Sequence, residues 1–181
     1  MKLSIGSGDR HHPGWTRLDI DPACSPDILA DITQPLPLPD DSVELILCEE
    51  VVTQIPLEDC AAFLKECARV LAPGGAVRVL MPNLRKFLKA YFEDPQWLID
   101  TWKNHVGLPL TLETPGEVIN RGFRLVGPFM YDLETFTAIA EPAGFEVREV
   151  TFGESQRPEF RGLDLRKPDE SASIYLELWP R

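Results

Sequence analysis

Short apolar runs rich in β-branched residues alternate along this chain with longer segments in which apolar residues recur every three or four positions. That alternation is typical of strand-helix-strand units, which assemble into a mostly parallel sheet. Seven segments have the length and composition of strands: Lys2–Ile5, Trp15–Ile20, Asp27–Ala30, Val43–Cys48, Ala76–Met81, Phe145–Phe152 and Ser173–Trp179. The pattern therefore predicts an α/β fold.

Two helices are predicted between these strands. The first, Leu57–Leu71, places its apolar residues on one face and its charged residues off that face. Pro73 cannot continue it, and the two glycines that follow allow a turn into the next strand. The second helix begins after Asp132, a good N-cap residue, and ends before Pro142.

The alternation breaks between Pro82 and Met130. These residues, about 49 in number, are too many for an ordinary connection, and such excess length is commonly a lid or a substrate-binding insertion. Helical spacing in its first part gives way to a stretch punctuated by proline and glycine from Gly107 to Pro128. We expect a single domain, residues 1–181, with a substrate or lid insertion at about 82–130.

Composition narrows the possible partners. The chain has 181 residues, 44% of them hydrophobic, and a net charge of −11, so it can bury one core but repels phosphate backbones. Nucleic acid is therefore an unexpected partner. The chain contains no run of 18 apolar residues, the length that would predict a membrane span. Its first residues turn polar too early for a secretion signal. We therefore expect a cytoplasmic protein. Neither the cysteine spacing nor His11-His12 indicates a metal site.

Candidate ligand-binding residues follow the first two predicted strands. Gly6-Ser7-Gly8 comes directly after the first, where a permissive backbone can turn tightly and approach a ligand. Asp19 ends the second strand 11 residues after Gly8, and a carboxylate there can bind both hydroxyls of a ribose. In the alternative interpretation the glycines only turn the chain, and Asp19 and Asp21 cap a helix.

The motifs together resemble those of the class I S-adenosylmethionine-dependent methyltransferases, most closely the small methyltransferase-domain proteins. LSIGSG is similar to the family's first motif, LDIDP to its acidic strand end, and ADITQPLPLPDDSVELIL to its adenine-contacting segment. KECARVLAPGGAVRVLMP matches the helix, turn and fifth strand. The resemblance implies a Rossmann-like three-layer sandwich with a mostly parallel seven-stranded sheet, an antiparallel last strand and strand order 3-2-1-4-5-7-6.

The resemblance also implies S-adenosylmethionine as the cofactor. The residues of the glycine turn would lie against the amino-acid part of the cofactor, and one carboxylate would bind its ribose. A second carboxylate and a backbone group would lie beside its adenine. The residues that match these positions are Gly6, Ser7, Gly8, Asp19, Asp31 and Ile32. We expect the insertion to close this site in place of the N-terminal helix of larger relatives.

No motif fixes the catalytic residue. Methyl transfer from a sulfonium is a direct displacement, which needs alignment of the acceptor and a base when the attacking atom carries a proton. Candidates for the base or for the acceptor pocket are Glu49, Glu50, His105 and Tyr131. Trp97 and Trp102 could form an aromatic wall for the acceptor, although packing within the insertion is the alternative.

Two departures from the family pattern motivate a second hypothesis. Val52-Thr53-Gln54 stands where family members often carry L-E-H, and Gly127-Pro128 stands where Gly-His is common. The sequence predicts a methyltransferase acting on a small-molecule, glycan or protein acceptor; the alternative is a non-catalytic binding or regulatory module of the same fold. A nicotinamide-dependent oxidoreductase is disfavoured, because His11 replaces the third glycine of G-x-G-x-x-G. The oligomeric state stays open.

Overall fold

One seven-stranded sheet organises the chain, and the computed structural model describes residues 1–181 throughout. Its strands are β1 (Lys2–Ile5), β2 (Trp15–Asp19), β3 (Ile28–Leu29), β4 (Val43–Glu49), β5 (Leu71–Pro82), β6 (Phe145–Glu149) and β7 (Ser173–Pro180). Their order is β3-β2-β1-β4-β5-β7-β6. Only β7 runs antiparallel to its neighbours. The predicted fold class and strand order are confirmed.

Five α-helices accompany the sheet: α1 (Leu57–Val70), α2 (Leu84–Glu93), α3 (Pro95–Thr101), α4 (Pro115–Val126) and α5 (Leu133–Ala140). A π-helical turn, Trp102–Val106, continues α3. None of these helices combines the length and the apolar character needed to cross a bilayer. Most predicted boundaries differ from these by a few residues; the largest differences are the strand predicted to reach Phe152, which ends at Glu149, and β5, which begins at Leu71.

The main core lies on the face of the sheet covered by α1 and α5. The apolar face of α1 buries Phe63, Leu64 and Val70 against alternate residues of the central strands, among them Val77 and Val79. Because both faces of the sheet are covered at its centre, the side chains of β1 and β4 are almost all buried. The amphipathic period of α1 decides which face of this helix packs on the sheet.

The opposite face of the sheet is covered by irregular chain. The segment between β6 and β7, residues 150–172, contains a single three-residue helical turn, Pro158–Phe160. Phe160 is wholly buried and packs on Leu45 and Ala76, and its ring lies 5.9 Å from that of Trp15. The third layer of the sandwich is therefore this covering segment.

A buried arginine holds the covering segment to the sheet. Arg78 of β5 points to this second face, is 0% exposed, and donates two hydrogen bonds to the Asp164 carboxylate. Its Nη1 also donates to the Glu154 carbonyl at 3.1 Å and lies 3.5 Å from Glu177 Oε1, and its Nη2 donates to the Thr151 carbonyl at 3.4 Å. The guanidinium thereby ties both ends of the covering segment to β5.

The insertion forms a small helical cluster beside the sheet. Leu98, Trp102 and Val118 are the centre of its separate apolar core. Its helix α4 lies inside the stretch punctuated by proline and glycine from Gly107 to Pro128, where the sequence analysis placed no helix. The signal was a capping pattern: Thr114 accepts from the Glu117 amide at 3.2 Å, and Pro115 takes the first helical position.

Candidate active site

The glycine turn after β1 lies against the loop after β4. Gly6 and Gly8 have φ of +61° and +51°, which glycine adopts without strain. A Cβ at Gly6 would lie 2.3 Å from the Cγ2 atom of Val51. Because β1 and β4 are parallel neighbours, with Ile5 opposite Cys48, their carboxyl ends meet here. The absence of a side chain at Gly6 lets the two loops close on each other.

Asp19, at the end of β2, still has acceptor capacity for a ligand. Its Oδ2 accepts from the Gly8 amide at 2.8 Å and its Oδ1 from the Asp21 amide at 3.0 Å. A carboxylate offers about four lone-pair sites, so roughly one is left on each oxygen for the two hydroxyls of a ribose. Asp21 caps the short turn that follows by accepting from the Ala23 amide. Asp21 is therefore the residue that caps the turn. The Asp19 carboxylate keeps free acceptor sites and fits the hydroxyls of a ribose.

Asp31 and Ile32 present one acceptor and one donor next to each other. Asp31 Oδ1 accepts from the amide and the hydroxyl of Thr33, both at 2.9 Å, whereas its Oδ2 has no partner in the chain. The Ile32 amide donates to no backbone or side-chain group. The edge of an adenine needs this pair, an acceptor for its amino group and a donor for a ring nitrogen.

Sequence reasoning missed an apolar neighbour of this pair. Ile20 is 64% exposed, although it directly follows the buried Asp19. It had been assigned to the second strand, where a large apolar residue is ordinary. The signal was its place between two aspartates at the end of that strand, an exposed position for a large apolar side chain.

Glu49 is committed to structural contacts. Its Oε2 lies 3.0 Å from Arg10 Nη1, and its Oε1 accepts from the Leu165 amide at 3.3 Å. Burial raises the pKa of this carboxyl group, and the Arg10 charge opposes the rise. Glu49 therefore links the glycine turn, through Arg10, to the covering segment.

The next residue, Glu50, borders a large cavity between the sheet and the insertion. The cavity has a volume of about 520 Å³ and is lined by α2, α3, α4, the π-helical turn and the end of the covering segment. Burial raises the pKa of Glu50 to about 7, against the opposing charge of Arg166. Its backbone has φ +61°, a conformation that non-glycine residues rarely adopt and that clusters at functional sites.

The structure places the other two candidates, His105 and Tyr131, in different surroundings. His105 lies on the π-helical turn and lines the same cavity as Trp97 and Trp102. Trp102 also packs in the apolar core of the insertion, which is the alternative that the sequence left open. Tyr131 does not reach the cavity: its ring is 0% exposed in the main core and packs on Phe136. Its assignment as an acceptor-pocket residue is corrected, because the isolated bridge with Asn83 draws this residue toward β5.

The two segments that carry the departures from the family pattern contact each other. A Cβ at Gly127 would lie 2.2 Å from the carbonyl oxygen of Thr53, and Gly127 has φ +125°. Gln54 Nε2 donates to the Val126 carbonyl at 2.6 Å. Both Gln54 and Val126 line the cavity. The two segments that carry the departures thus meet at one side of the cavity.

No group of three or more His, Cys, Asp or Glu side chains is arranged to hold a metal ion. The candidate site therefore has two neighbouring regions. The first is a row of polar groups along the ends of β1, β2 and β3, and the second is the cavity beyond β4.

Comparison with known proteins agrees with this geometry. Residues 16–79 match the family described as "Methyltransferase domain". No curated protein matches the chain. The fold is similar to a SAM-dependent methyltransferase, possible histamine N-methyltransferase, from Thermotoga maritima, with 18% identity, TM-score 0.55, and coverage of 99% of this chain and 82% of that chain.

Two further solved structures share the fold. A SAM-dependent methyltransferase from Archaeoglobus fulgidus has 13% identity and TM-score 0.58, with coverage of 97% of this chain and 84% of that chain. DhpI, solved as a complex with SAH, has 12% identity and TM-score 0.54, with coverage of 98% and 75%. The predicted resemblance to class I S-adenosylmethionine-dependent methyltransferases is confirmed. The matches support S-adenosylmethionine as the cofactor.

Proposed function

We propose that the chain transfers the methyl group of S-adenosylmethionine to an acceptor bound in the insertion cavity. The observation that carries the proposal is the free acceptor capacity of Asp19 beside the glycine turn, with Glu50 and the cavity directly beyond that turn. Asp31 and Ile32 add the groups that an adenine needs. S-adenosylmethionine supplies an electrophilic methyl group on a sulfonium, so the protein has mainly to align the acceptor with it.

The residues divide into two roles. Asp19 would hold the ribose hydroxyls, Asp31 and the Ile32 amide the adenine, and Gly6, Ser7 and Gly8 the amino-acid part, where the absence of a Cβ at Gly8 leaves open space. The cavity walls would hold the acceptor and exclude water from it. Because the ends of β1 and β4 adjoin, a ligand on the glycine turn would lie next to the cavity.

Calorimetric titration with S-adenosylmethionine and S-adenosylhomocysteine tests the proposal. Both should bind the wild-type protein. Asp19→Asn keeps the shape of the side chain and one acceptor oxygen but loses its charge, which corresponds to about 1.5–3 kcal/mol for a charged hydrogen bond. Affinity for both ligands should therefore fall by about 10- to 100-fold.

Glu58→Gln is the matched control, since it removes one negative charge from the exposed side of α1. Its affinity should equal that of the wild type. If a cooperatively folding wild-type protein binds neither ligand, the proposal is wrong and the non-catalytic module of the same fold takes its place. The cytoplasmic location inferred from the sequence stays a prediction.

A further inference from the structure

The cavity carries information about the acceptor, on the premise that the proposed function holds. We propose that the acceptor is a small aromatic compound with a hydroxyl group, that Glu50 accepts the hydroxyl proton, and that Arg166 stabilises the oxygen as negative charge develops on it.

The cavity suits a small, mainly apolar molecule. Its volume of about 520 Å³ lies within the usual range for small-molecule sites, about 300–1,000 Å³. Half of its 20 lining residues are hydrophobic. A glycan would need many more polar partners for its hydroxyls, because a buried hydroxyl without a hydrogen bond is costly. The wall therefore favours an apolar acceptor over a sugar.

The walls also favour a flat ring. Phe87 of α2, Trp97 of α3 and Trp102 of the π-helical turn contribute three aromatic side chains to one cavity. The Trp102 indole donates to the Leu108 carbonyl at 2.7 Å, which fixes the orientation of its ring. Gly122 of α4 leaves room for Phe87, since a Cβ there would lie 2.7 Å from that ring. Rings held in this way can pack on an aromatic ligand by offset or edge contacts.

The charged groups at the sheet end of the cavity balance each other. Glu170 is paired with Lys167 at 3.2 Å, and Glu49 is paired with Arg10 at 3.0 Å. Glu50 makes no ion pair, and the Arg166 side chain donates no hydrogen bond within the chain. One negative and one positive group thus remain for the acceptor, and a neutral molecule matches that balance better than an ammonium ion.

Glu50 lies where the glycine turn meets the cavity. Its predecessor, Glu49, ends β4, and its successor, Val51, touches the glycine turn at Gly6. The left-handed backbone at Glu50 is the kind of strain that the surrounding structure must maintain. Burial raises its pKa to about 7, which is suitable for a base at neutral pH.

The hydroxyl oxygen forms a bond to the methyl carbon of S-adenosylmethionine while its proton passes to the Glu50 carboxylate. The electron pair of the breaking carbon–sulfur bond goes to sulfur, which changes from a sulfonium to a thioether. The products are a methyl ether and S-adenosylhomocysteine, and Glu50 then releases the proton to solvent.

The experiment uses 2-naphthol, 7-hydroxycoumarin and catechol as aromatic hydroxyl probes and phenethylamine as the ammonium probe. Binding is measured by calorimetry on the full chain saturated with S-adenosylhomocysteine, and methylation by mass spectrometry with S-adenosylmethionine. At least one hydroxyl probe should bind and gain one methyl group, while phenethylamine does neither. Leu125→Trp, at a half-exposed position in the wall, should block the probe without weakening S-adenosylhomocysteine.

Glu50→Gln tests the base separately from binding. A general base contributes typically 10²–10⁴-fold, so methylation should fall at least about 100-fold while probe and cofactor affinities stay unchanged. Wild-type turnover should rise with pH through about 7 as the carboxyl group loses its proton, and Glu50→Gln should lack that rise. The charged groups facing Glu50 are Arg166, Glu49 and Arg10, with His105 in the same cavity. Glu58→Gln serves again as the matched control.

The outcomes separate the two proposals. If S-adenosylhomocysteine binds but no hydroxyl probe does, the acceptor class is wrong and the proposed transfer from S-adenosylmethionine stands. If Leu125→Trp leaves probe binding unchanged, the insertion cavity is not the acceptor site. Methylation of phenethylamine in place of the hydroxyl probes also overturns the acceptor class. If Glu50→Gln methylates at the wild-type rate, Glu50 is not the base. If neither cofactor form binds, the proposed function itself fails.

Discussion

Replacing Arg78 with methionine tests what holds the covering segment on the sheet. The substitution keeps an unbranched apolar side chain of similar length but removes the guanidinium that contacts Asp164 and Glu177, which are 5% and 1% exposed. Breaking a buried ion pair by removing one partner costs about 3–5 kcal/mol. Here two carboxylates and two carbonyl groups lose their donor, so we expect the loss in the free energy of unfolding to reach that range.

Urea denaturation followed by circular dichroism measures this loss directly. In a domain of this size 1 kcal/mol moves the thermal midpoint by about 2–4 °C, so the midpoint should fall by roughly 6–20 °C. Arg148→Met is the matched control, because the half-exposed Arg148 pairs with the exposed Glu146 on the same strand and otherwise lies over the Trp179 ring at 5.4 Å. Such surface pairs contribute about 0–1 kcal/mol.

A double-mutant cycle locates the effect. In the Arg78→Met background, Asp164→Asn removes an unpaired buried charge. The loss in the free energy of unfolding that it causes should therefore be at least about 1 kcal/mol smaller than in the wild-type background, or should become a gain. Proteolysis within residues 150–172 should also be faster in Arg78→Met. If Arg78→Met costs no more than Arg148→Met, or if the two changes at the Arg78–Asp164 pair are additive, the reasoning about the buried network is refuted.

Three further predictions concern backbone positions and pH. Gly127→Ala should destabilise the protein by at least about 1–3 kcal/mol in denaturant titrations, because the new Cβ would lie 2.2 Å from the Thr53 carbonyl oxygen at φ +125°; a wild-type midpoint would contradict this. Gly6→Ala should abolish S-adenosylhomocysteine binding in calorimetry, since the loops after β1 and β4 must separate; unchanged affinity would argue against the site. Backbone amides of the preceding loop lower the pKa of Glu117 to about 2, so its stabilisation of α4 is present above about pH 4.3 and lost as the pH falls toward 2. Tryptophan fluorescence of the insertion should change over that range, and Glu117→Gln should show the change already at neutral pH.

The sequence predicts the sheet well because its signals are local. The strand Lys2–Ile5 has its predicted bounds, and α1 differs by one residue, since apolar periodicity and the following Pro73 act within a few residues. The strand order followed from the family resemblance, because register between distant strands leaves no mark in one strand's own pattern.

The candidate site was less predictable where distant segments meet. Asp19 and Glu50 could be selected from their places at strand ends, but the roles of Glu49 and Tyr131 depended on contacts made from elsewhere in the chain. Arg78 was not selected at all, since one arginine in an apolar strand gives no indication of the carboxylates that will surround it. Such pairing is a property of the tertiary structure.

The place of β7 in the sheet has a consequence for the order in which the protein folds. The last of the seven strands lies between β5 and β6, so β6 has no partner until β7 has entered the sheet. During synthesis the central strands can pair early, whereas β6 and the covering segment must wait for residues 173–180. A chain released or stalled before that point would present two unpaired strand edges, which are prone to pair with other chains.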